Sequence, residues 1–189
     1  CDAVHAGAGR MRGRFIAVVG PSGVGKDSVM EGLAAADPSL VLARRVISRP
    51  TALGGEDFDG VSERAFRKAE HDGAFILSWH AHGWHYGIPQ SVALEVAQGR
   101  DVMVNLSRAV LPQAQALFAR FCVILLRADR DDADEIERRL ARADFAMPSG
   151  MRHQVICNNG PLAQTVATIR QHLSQTACTA GQSNQKIKP

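Results

Sequence analysis

The segment from residue 20 to residue 28 restricts the fold of this chain more than any other feature, because it fits the pattern GxxxxGK. It follows the apolar run 15–19 and precedes an amphipathic stretch that begins at Lys26. A strand, a glycine-rich turn and a helix in this order bind phosphate, since backbone N–H groups turn inward and the helix adds its positive end. The sequence therefore predicts a loop that binds the phosphates of ATP, and a turn that binds nothing is the weaker alternative. The predicted phosphate-binding residues are Gly20, Pro21, Ser22, Gly23, Val24, Gly25, Lys26, Asp27 and Ser28.

The residue after the loop lysine departs from the common pattern. Ser or Thr usually stands there and binds Mg²⁺ through its hydroxyl, whereas this chain has Asp27 followed by Ser28. A carboxylate is a good Mg²⁺ ligand, but without metal it repels the neighbouring phosphates. We predict that Asp27 binds Mg²⁺ and that nucleotide affinity depends steeply on this ion. The alternative is that Asp27 only caps the following helix.

Length and charge favour one globular domain. The 189 residues carry a formal net charge of +3 and are 46% hydrophobic, which suits a pocket for anionic ligands and not a bulk nucleic-acid binder. Long apolar runs are missing, so we expect no membrane span. We predict a flexible arm over 1–13, a single domain over 14–175 and a disordered tail over 176–189. The four cysteines form no CxxC pair; we expect reduced thiols and a cytoplasmic location.

Between the termini, short apolar runs alternate with longer amphipathic stretches. This alternation predicts an α/β fold with a central, mostly parallel sheet flanked by helices, which binds ligands at the carboxyl ends of its strands. We expect strands over 15–19, 40–47, 74–79, 102–106, 121–126 and 155–157. Helices are expected over 26–36, from an N-cap at Ser62, over 89–98, over 132–143 and over 162–173.

Several motifs resemble guanylate kinase, namely the phosphate loop, Ser48-Arg49-Pro50 and Gly83-x-x-Tyr86-Gly87. The chain is more similar to a sister family, the ribose 1,5-bisphosphate phosphokinases of phosphonate degradation, over roughly residues 14–175. The motifs that carry this second resemblance are Gly-Lys-Asp-Ser at 25–28, Ser-Trp-His-Ala at 78–81, Val-Asn-x-Ser-Arg-Ala at 104–109 and Glu-Ile-x-x-Arg-Leu-Ala-Arg-Ala at 135–143.

The resemblance implies a P-loop kinase fold with a small substrate-binding insertion at about 48–90 and a lid at about 127–143. It also implies an activity, the transfer of the γ-phosphoryl group of ATP to ribose 1,5-bisphosphate, which gives 5-phosphoribosyl 1-diphosphate (PRPP). ATP would be the co-substrate and Mg²⁺ the cofactor. Small molecules would be the ligands, with no nucleic acid or membrane partner, and a homodimer is left open.

The resemblance also assigns roles to residues. Lys26 and Arg139 would be the catalytic residues: Lys26 and Mg²⁺ would neutralise the transferring group, and Arg139 and Arg142 would reach the phosphates from the lid. Substrate contacts would come from Arg49, His80, Tyr86, Asn105, Ser107 and Arg108. Asn158 and Asn159 would hold the adenine ring.

Three positions distinguish the sugar-phosphate kinase from its guanylate relative. By alignment, the carboxylates that accept hydrogen bonds from guanine fall at Leu77 and Ser107, and a second phosphate-binding arginine falls at Ala52. Guanine donors would stay unpaired there, so we expect GMP to be a poor substrate. The alternatives are a guanylate-type nucleoside monophosphate kinase and a non-catalytic binding module, which the intact Lys26 disfavours.

Three histidines, His80, His82 and His85, lie close together in the sequence. His80 and His82 would share one face of an extended segment, but with no Cys or carboxylate nearby in sequence a zinc site is disfavoured.

In the lid, the resemblance leads us to expect about a dozen more residues between Ala128 and Asp132. A short lid would exclude water poorly and let ATP hydrolysis compete with transfer.

Overall fold

A computed structural model of the chain describes residues 13–50, 58–128 and 147–175. It contains a five-stranded sheet in the order β2-β7-β1-β8-β9 and a four-stranded sheet in the order β4-β3-β6-β5. The first sheet comprises β1 (Phe15–Val19), β2 (Val41–Leu42), β7 (Val102–Asn105), β8 (Phe121–Arg127) and β9 (Gln154–Cys157). All four pairings within it are parallel, which confirms the predicted α/β fold.

Strand β1 lies at the centre of the parallel sheet because every one of its residues is apolar and buried. Its side chains alternate between two cores: Phe15, Ala17 and Val19 enter one, and Ile16 and Val18 enter the other. Burial on both faces explains why the strand is a continuous apolar run.

The helices cover the two faces of this sheet. One core receives buried side chains of α1 (Lys26–Ala36) and of the C-terminal helix α5 (Leu162–Gln175). The opposite core receives α3 (Ser91–Ala97) and α4 (Leu111–Leu117). That second core also contains apolar residues of the four-stranded sheet, so the two sheets share one hydrophobic interior.

The second sheet is formed by β3 (Arg45–Ile47), β4 (Phe58–Gly60), β5 (Phe75–Ala81) and β6 (Trp84–Pro89), with α2 (Glu63–His71) beside it. Strands β5 and β6 form an antiparallel hairpin, β6 also pairs antiparallel with β3, and β3 pairs parallel with β4. Three of its strands, β4, β5 and β6, lie within the range of about 48–90 where the sequence predicts a substrate-binding insertion, and β3 lies just before it; we call this sheet the insertion sheet.

Several element predictions are confirmed, among them α1 and the start of α2, where the Ser62 hydroxyl accepts the N–H of Ala65 at 3.2 Å. Two are wrong. The expected strand 40–47 is interrupted between β2 and β3, and the expected helix from Pro89 begins at Ser91 because Pro89 ends β6. The sequence analysis also missed β4, β6 and α4.

Cysteine oxidation also departs from expectation. Cys157 is free and exposed, whereas Cys122 is disulfide-bonded. The expectation of four reduced cysteines is therefore wrong at Cys122. No helix in the described ranges is long and apolar enough to cross a membrane.

Candidate active site

The phosphate loop joins β1 to α1 at the carboxyl edge of the parallel sheet. Two of its glycines are required by geometry. A Cβ on Gly20 would lie 2.7 Å from the carbonyl oxygen of Leu126 on β8, and Gly25 has a φ of +86°, which disfavours other residues. The chain can therefore leave β1 close to its neighbour and turn directly into the helix.

Lys26 folds back onto this loop. Its Nζ donates hydrogen bonds to the carbonyl oxygens of Gly20 at 2.9 Å and Pro21 at 2.8 Å. Burial lowers the pKa of Lys26, the charge of Asp27 raises it and the charge of Arg45 lowers it. The ammonium group is thus held within the loop, where its positive charge is partly removed from water.

Asp27 and Asn105 meet although they were predicted to serve different ligands. The Nδ2 of Asn105 donates to Oδ1 of Asp27 at 3.1 Å. Asn105 is the last residue of β7 and is 5% exposed, and Asp27 lies in the first turn of α1. The structure therefore places Asn105 at the phosphate loop.

Asn158 braces the loop from the far side of the site. Its Nδ2 donates to the carbonyl oxygen of Val24 at 2.9 Å, and its Oδ1 accepts the hydroxyl of Thr165 at 2.8 Å. Because both ends of the carboxamide are engaged, this side chain links α5 to the loop. The adenine role of Asn158 and its exposed neighbour Asn159 stays a prediction.

Arg45 is the residue that the sequence analysis missed. It is 8% exposed in β3, and its guanidinium lies 5.7 Å from the centre of the Tyr86 ring. Burial lowers the pKa of Arg45, Asp27 and Tyr86 raise it, and the charge of Arg49 lowers it. Arg45 thus belongs to the insertion sheet and interacts electrostatically with the phosphate loop.

A signal for Arg45 was present in the sequence. Every second position of the segment 45–49 is Arg45, Ile47 or Arg49, so these side chains would share one face of an extended strand. Ile47 is buried. A cation that shares a strand face with a buried residue is unusual, because its charge must be balanced inside the protein.

Tyr86 has a second ring neighbour. Trp79 stacks on it with ring centres 5.2 Å apart and an angle of 7° between the planes. The two residues face each other across β5 and β6. Tyr86 is half-buried and fixed by this stack, in contact with Arg45 as well.

Arg49 lines a cavity of about 520 Å³ on the insertion side. The lining residues are Ser48, Arg49, Pro50, Gly60, Val61, Ser62, Glu63, Gly83 and Trp84. The guanidinium of Arg49 lies 4.8 Å from the centre of the Phe58 ring. Ser48 fixes the hairpin behind this cavity, since its Oγ accepts the N–H of His85 at 2.8 Å.

The histidine arrangement differs from the prediction. His82 has a φ of +51° in the turn between β5 and β6, so it does not continue the face of His80. His80 instead faces His85 across the hairpin, with ring centres 4.9 Å apart. His85 also stacks on Phe66 and lies 3.7 Å from the Glu63 carboxylate.

Two further predicted substrate residues follow β7, and the predicted lid residues are outside the described ranges. Ser107 and Arg108 follow β7 in a short 3₁₀ turn, where the Ser107 hydroxyl accepts the N–H of Ala109 at 3.4 Å. Both are half-buried. Arg139, Arg142 and the lid lie outside the described residues, as does Ala52.

A cluster of three or more His, Cys, Asp or Glu side chains that could bind a metal is not found in the part of the chain that the structure describes. A Mg²⁺ ion bound together with a nucleotide needs only one or two carboxylates, because phosphate oxygens and waters complete its shell. The oxygen donors of Asp27 and Asn105 fit this requirement.

Comparison with known proteins connects this geometry to a family. No family model matches the chain. The chain is 48% identical over 169 residues to a protein of Ruegeria sp. (strain TM1040) named ribose 1,5-bisphosphate phosphokinase PhnN, which covers 82% of this chain and 88% of that protein. Proteins of the same name from Pseudomonas fluorescens (strain SBW25) and Agrobacterium fabrum (strain C58 / ATCC 33970) are 40% and 38% identical, covering 82% and 86% of this chain and 92% and 97% of those proteins.

The chain belongs to the ribose 1,5-bisphosphate phosphokinase family. It is therefore a kinase, and the recognition made from the motifs is confirmed. Among solved structures, a guanylate kinase from Anaplasma phagocytophilum matches with a TM-score of 0.67 at 18% identity, covering 90% of this chain and 91% of that one. At that identity the match establishes the fold alone, which is that of a P-loop kinase.

Proposed function

We propose that this protein transfers the γ-phosphoryl group of ATP to the 1-phosphate of ribose 1,5-bisphosphate and so makes PRPP. The relatives described above are named as kinases of this sugar phosphate. The observation that supports the same chemistry here is the position of Arg45, which is buried in the insertion sheet and interacts with Lys26 and Asp27 of the phosphate loop. One site can thereby hold two phosphates from two substrates.

The transfer needs positioning and charge neutralisation more than a base. A 1-phosphate oxygen attacks the γ-phosphorus, the bond to the β–γ bridging oxygen breaks, and ADP leaves with that electron pair. The attacking oxygen is already anionic, so no side chain has to remove a proton. Lys26, Arg45 and Arg49 would supply positive charge around the reacting phosphates.

Mg²⁺, when bound with ATP, would neutralise charge on the β- and γ-phosphates. Asp27 would hold it, and Asn105 would orient the Asp27 carboxylate through the hydrogen bond from its Nδ2. Asn158 would keep the loop in its phosphate-binding shape, and Tyr86 would keep the Arg45 guanidinium in place.

Leu77 argues against guanylate kinase activity. It is 4% exposed, lies in the shared core and pairs with Ile88 across the hairpin. An apolar core side chain cannot accept a hydrogen bond from guanine. We therefore propose that GMP binds poorly because the N–H donors of its guanine stay unpaired. Ser107, His80 and Arg108 would interact with the sugar phosphate instead.

A product assay tests this proposal. Ribose 1,5-bisphosphate and GMP are offered separately with Mg²⁺ and ATP, and PRPP, GDP and ADP are quantified. We expect PRPP and little GDP, and Lys26→Ala should abolish PRPP formation. GDP as the main product would favour the guanylate-type kinase. No transfer by the wild type, with ligand binding equal in wild type and Lys26→Ala, would favour the non-catalytic module.

A further inference from the structure

The hydrogen bond between Asn105 and Asp27 joins the two positions at which P-loop enzymes generally divide the task of holding Mg²⁺. In those enzymes the loop supplies a hydroxyl from Ser or Thr, and a separate aspartate supplies the carboxylate. Here the loop supplies the carboxylate of Asp27, and the neighbouring strand supplies the neutral carboxamide of Asn105. The number of carboxylates is unchanged, but their placement is reversed.

We propose that Asp27 and Asn105 form an exchanged magnesium-binding pair, in which the loop residue carries the charge and the strand residue positions it. This inference rests on the proposed function only in taking Mg²⁺-ATP as the phosphoryl donor.

The contact explains why Asn105 suits Asp27. Its Nδ2 occupies one carboxylate oxygen of Asp27 at 3.1 Å, which orients the second oxygen as a cation ligand. An aspartate at position 105 would bring two carboxylates to hydrogen-bond distance, where they repel each other. Burial of Asn105 at 5% exposure makes that repulsion stronger than at the surface.

Neighbouring charges balance a carboxylate on the loop. Lys26 and Arg45 both interact with Asp27 electrostatically. These cations offset part of the repulsion between Asp27 and the nucleotide phosphates, and the metal would offset the rest. ATP affinity should therefore depend on Mg²⁺ through Asp27, with Asn105 as a positioning residue.

A substitution cycle tests the pair by ATP binding alone, without sugar substrate. The Kd of ATP is measured by calorimetry in Mg²⁺ and in EDTA, for the wild type, Asp27→Ser, Asn105→Asp and the double variant Asp27→Ser/Asn105→Asp. We expect about tenfold or greater tightening by Mg²⁺ in the wild type and less than about threefold in Asp27→Ser. The double variant restores the usual arrangement of hydroxyl and carboxylate, so it should recover Mg²⁺ dependence to within about threefold of the wild type.

Two further variants keep the test interpretable. Asp27→Asn removes the charge without changing shape and should lose Mg²⁺ dependence even if Asp27→Ser folds poorly. Asp37→Ser makes the same substitution as Asp27→Ser at the half-buried C-cap of α1, at the other end of the helix from the loop, and it should leave the Mg²⁺ effect unchanged.

The proposal is overturned if Asp27→Asn keeps the wild-type Mg²⁺ effect, or if the double variant is no better than Asp27→Ser. The sugar-phosphate assay separates this failure from failure of the function. A wild type that makes PRPP while Asp27→Asn retains the Mg²⁺ effect contradicts only the pair. A wild type with the expected Mg²⁺ cycle but no PRPP contradicts only the proposed substrate.

Discussion

The loop edge of the parallel sheet and the four-stranded insertion sheet carry different groups of the predicted site residues. At the loop edge, the residues predicted to bind phosphate lie within nine consecutive positions, and two glycines fix the shape of the loop. In the insertion, Arg45, Tyr86 and Trp79 come together only after three strands have paired. The predicted nucleotide-binding residues are thus encoded mainly in one segment, whereas the predicted acceptor-binding residues come together only in the tertiary structure.

The largest effect is expected from the loop. Lys26→Ala removes the cation held by Gly20 and Pro21, and we expect kcat to fall about 10²–10³-fold or more, since a preorganised charge at the transferring group is lost. The matched control is Lys68→Ala, whose side chain is 78% exposed on α2. Equal turnover in the two variants would remove Lys26 from the mechanism.

Arg45 tests the insertion side in the same way. Arg45→Ala should raise KM for ribose 1,5-bisphosphate about 10–100-fold, because a charged hydrogen-bond donor is lost. The Kd of ATP should change less. Arg45→Lys should recover only part of the loss, because a point charge does not replace a planar fork. Arg44→Ala, next to it but with a 52% exposed side chain, is the control. A larger effect of Arg45→Ala on ATP than on the sugar would place Arg45 on the nucleotide side.

Asn158 should have a smaller, one-sided effect. Asn158→Ala removes the brace between Val24 and Thr165, and we expect ATP affinity to fall about 3–10-fold with a stability loss of about 1–2 kcal/mol. The KM for the sugar should stay constant. Asn159→Ala serves as the comparison. If the exposed Asn159 contacts the adenine ring, Asn159→Ala should lower ATP affinity more than Asn158→Ala does.

The smallest effect on activity is expected at the base of the parallel sheet. Arg14 pairs with Asp101 through Nη2 at 2.5 Å and Nε at 2.8 Å, and its Nη1 donates to the carbonyl oxygen of Leu173. Asp101→Ala should cost about 2–3 kcal/mol of unfolding free energy, measured by urea titration, and leave both KM values unchanged. A change in KM without loss of stability would mean that this pair acts on the site.

Sequence reasoning predicted the parallel sheet well for a physical reason. Strands such as β1 and β8 are apolar because both faces are buried, and a continuous apolar run between helices is easily read. The Ser62 cap could also be predicted, because it depends on a contact between residues three positions apart.

The insertion sheet was harder to predict because two of its strands, β3 and β4, have only three residues each and because many residues of β5 and β6 are only partly buried. Strand β6 carries Trp84, His85 and Tyr86 with little alternation, and β4 has three residues. The prediction that His80 and His82 share one face failed because the chain turns tightly at His82, and no sequence pattern indicated that turn. Arg45 was missed because no motif of its own contains it, and only the pairing of β3 with β6 brings it to Tyr86.

The most direct measurement follows the γ-phosphate of labelled ATP during turnover with ribose 1,5-bisphosphate. If both sheets bring their phosphates together as described, the label should appear in the diphosphate of PRPP, with one labelled product formed for each ADP. Label released as inorganic phosphate would show hydrolysis without transfer. Label that enters GMP, offered in competition, in preference to the sugar phosphate would contradict the account.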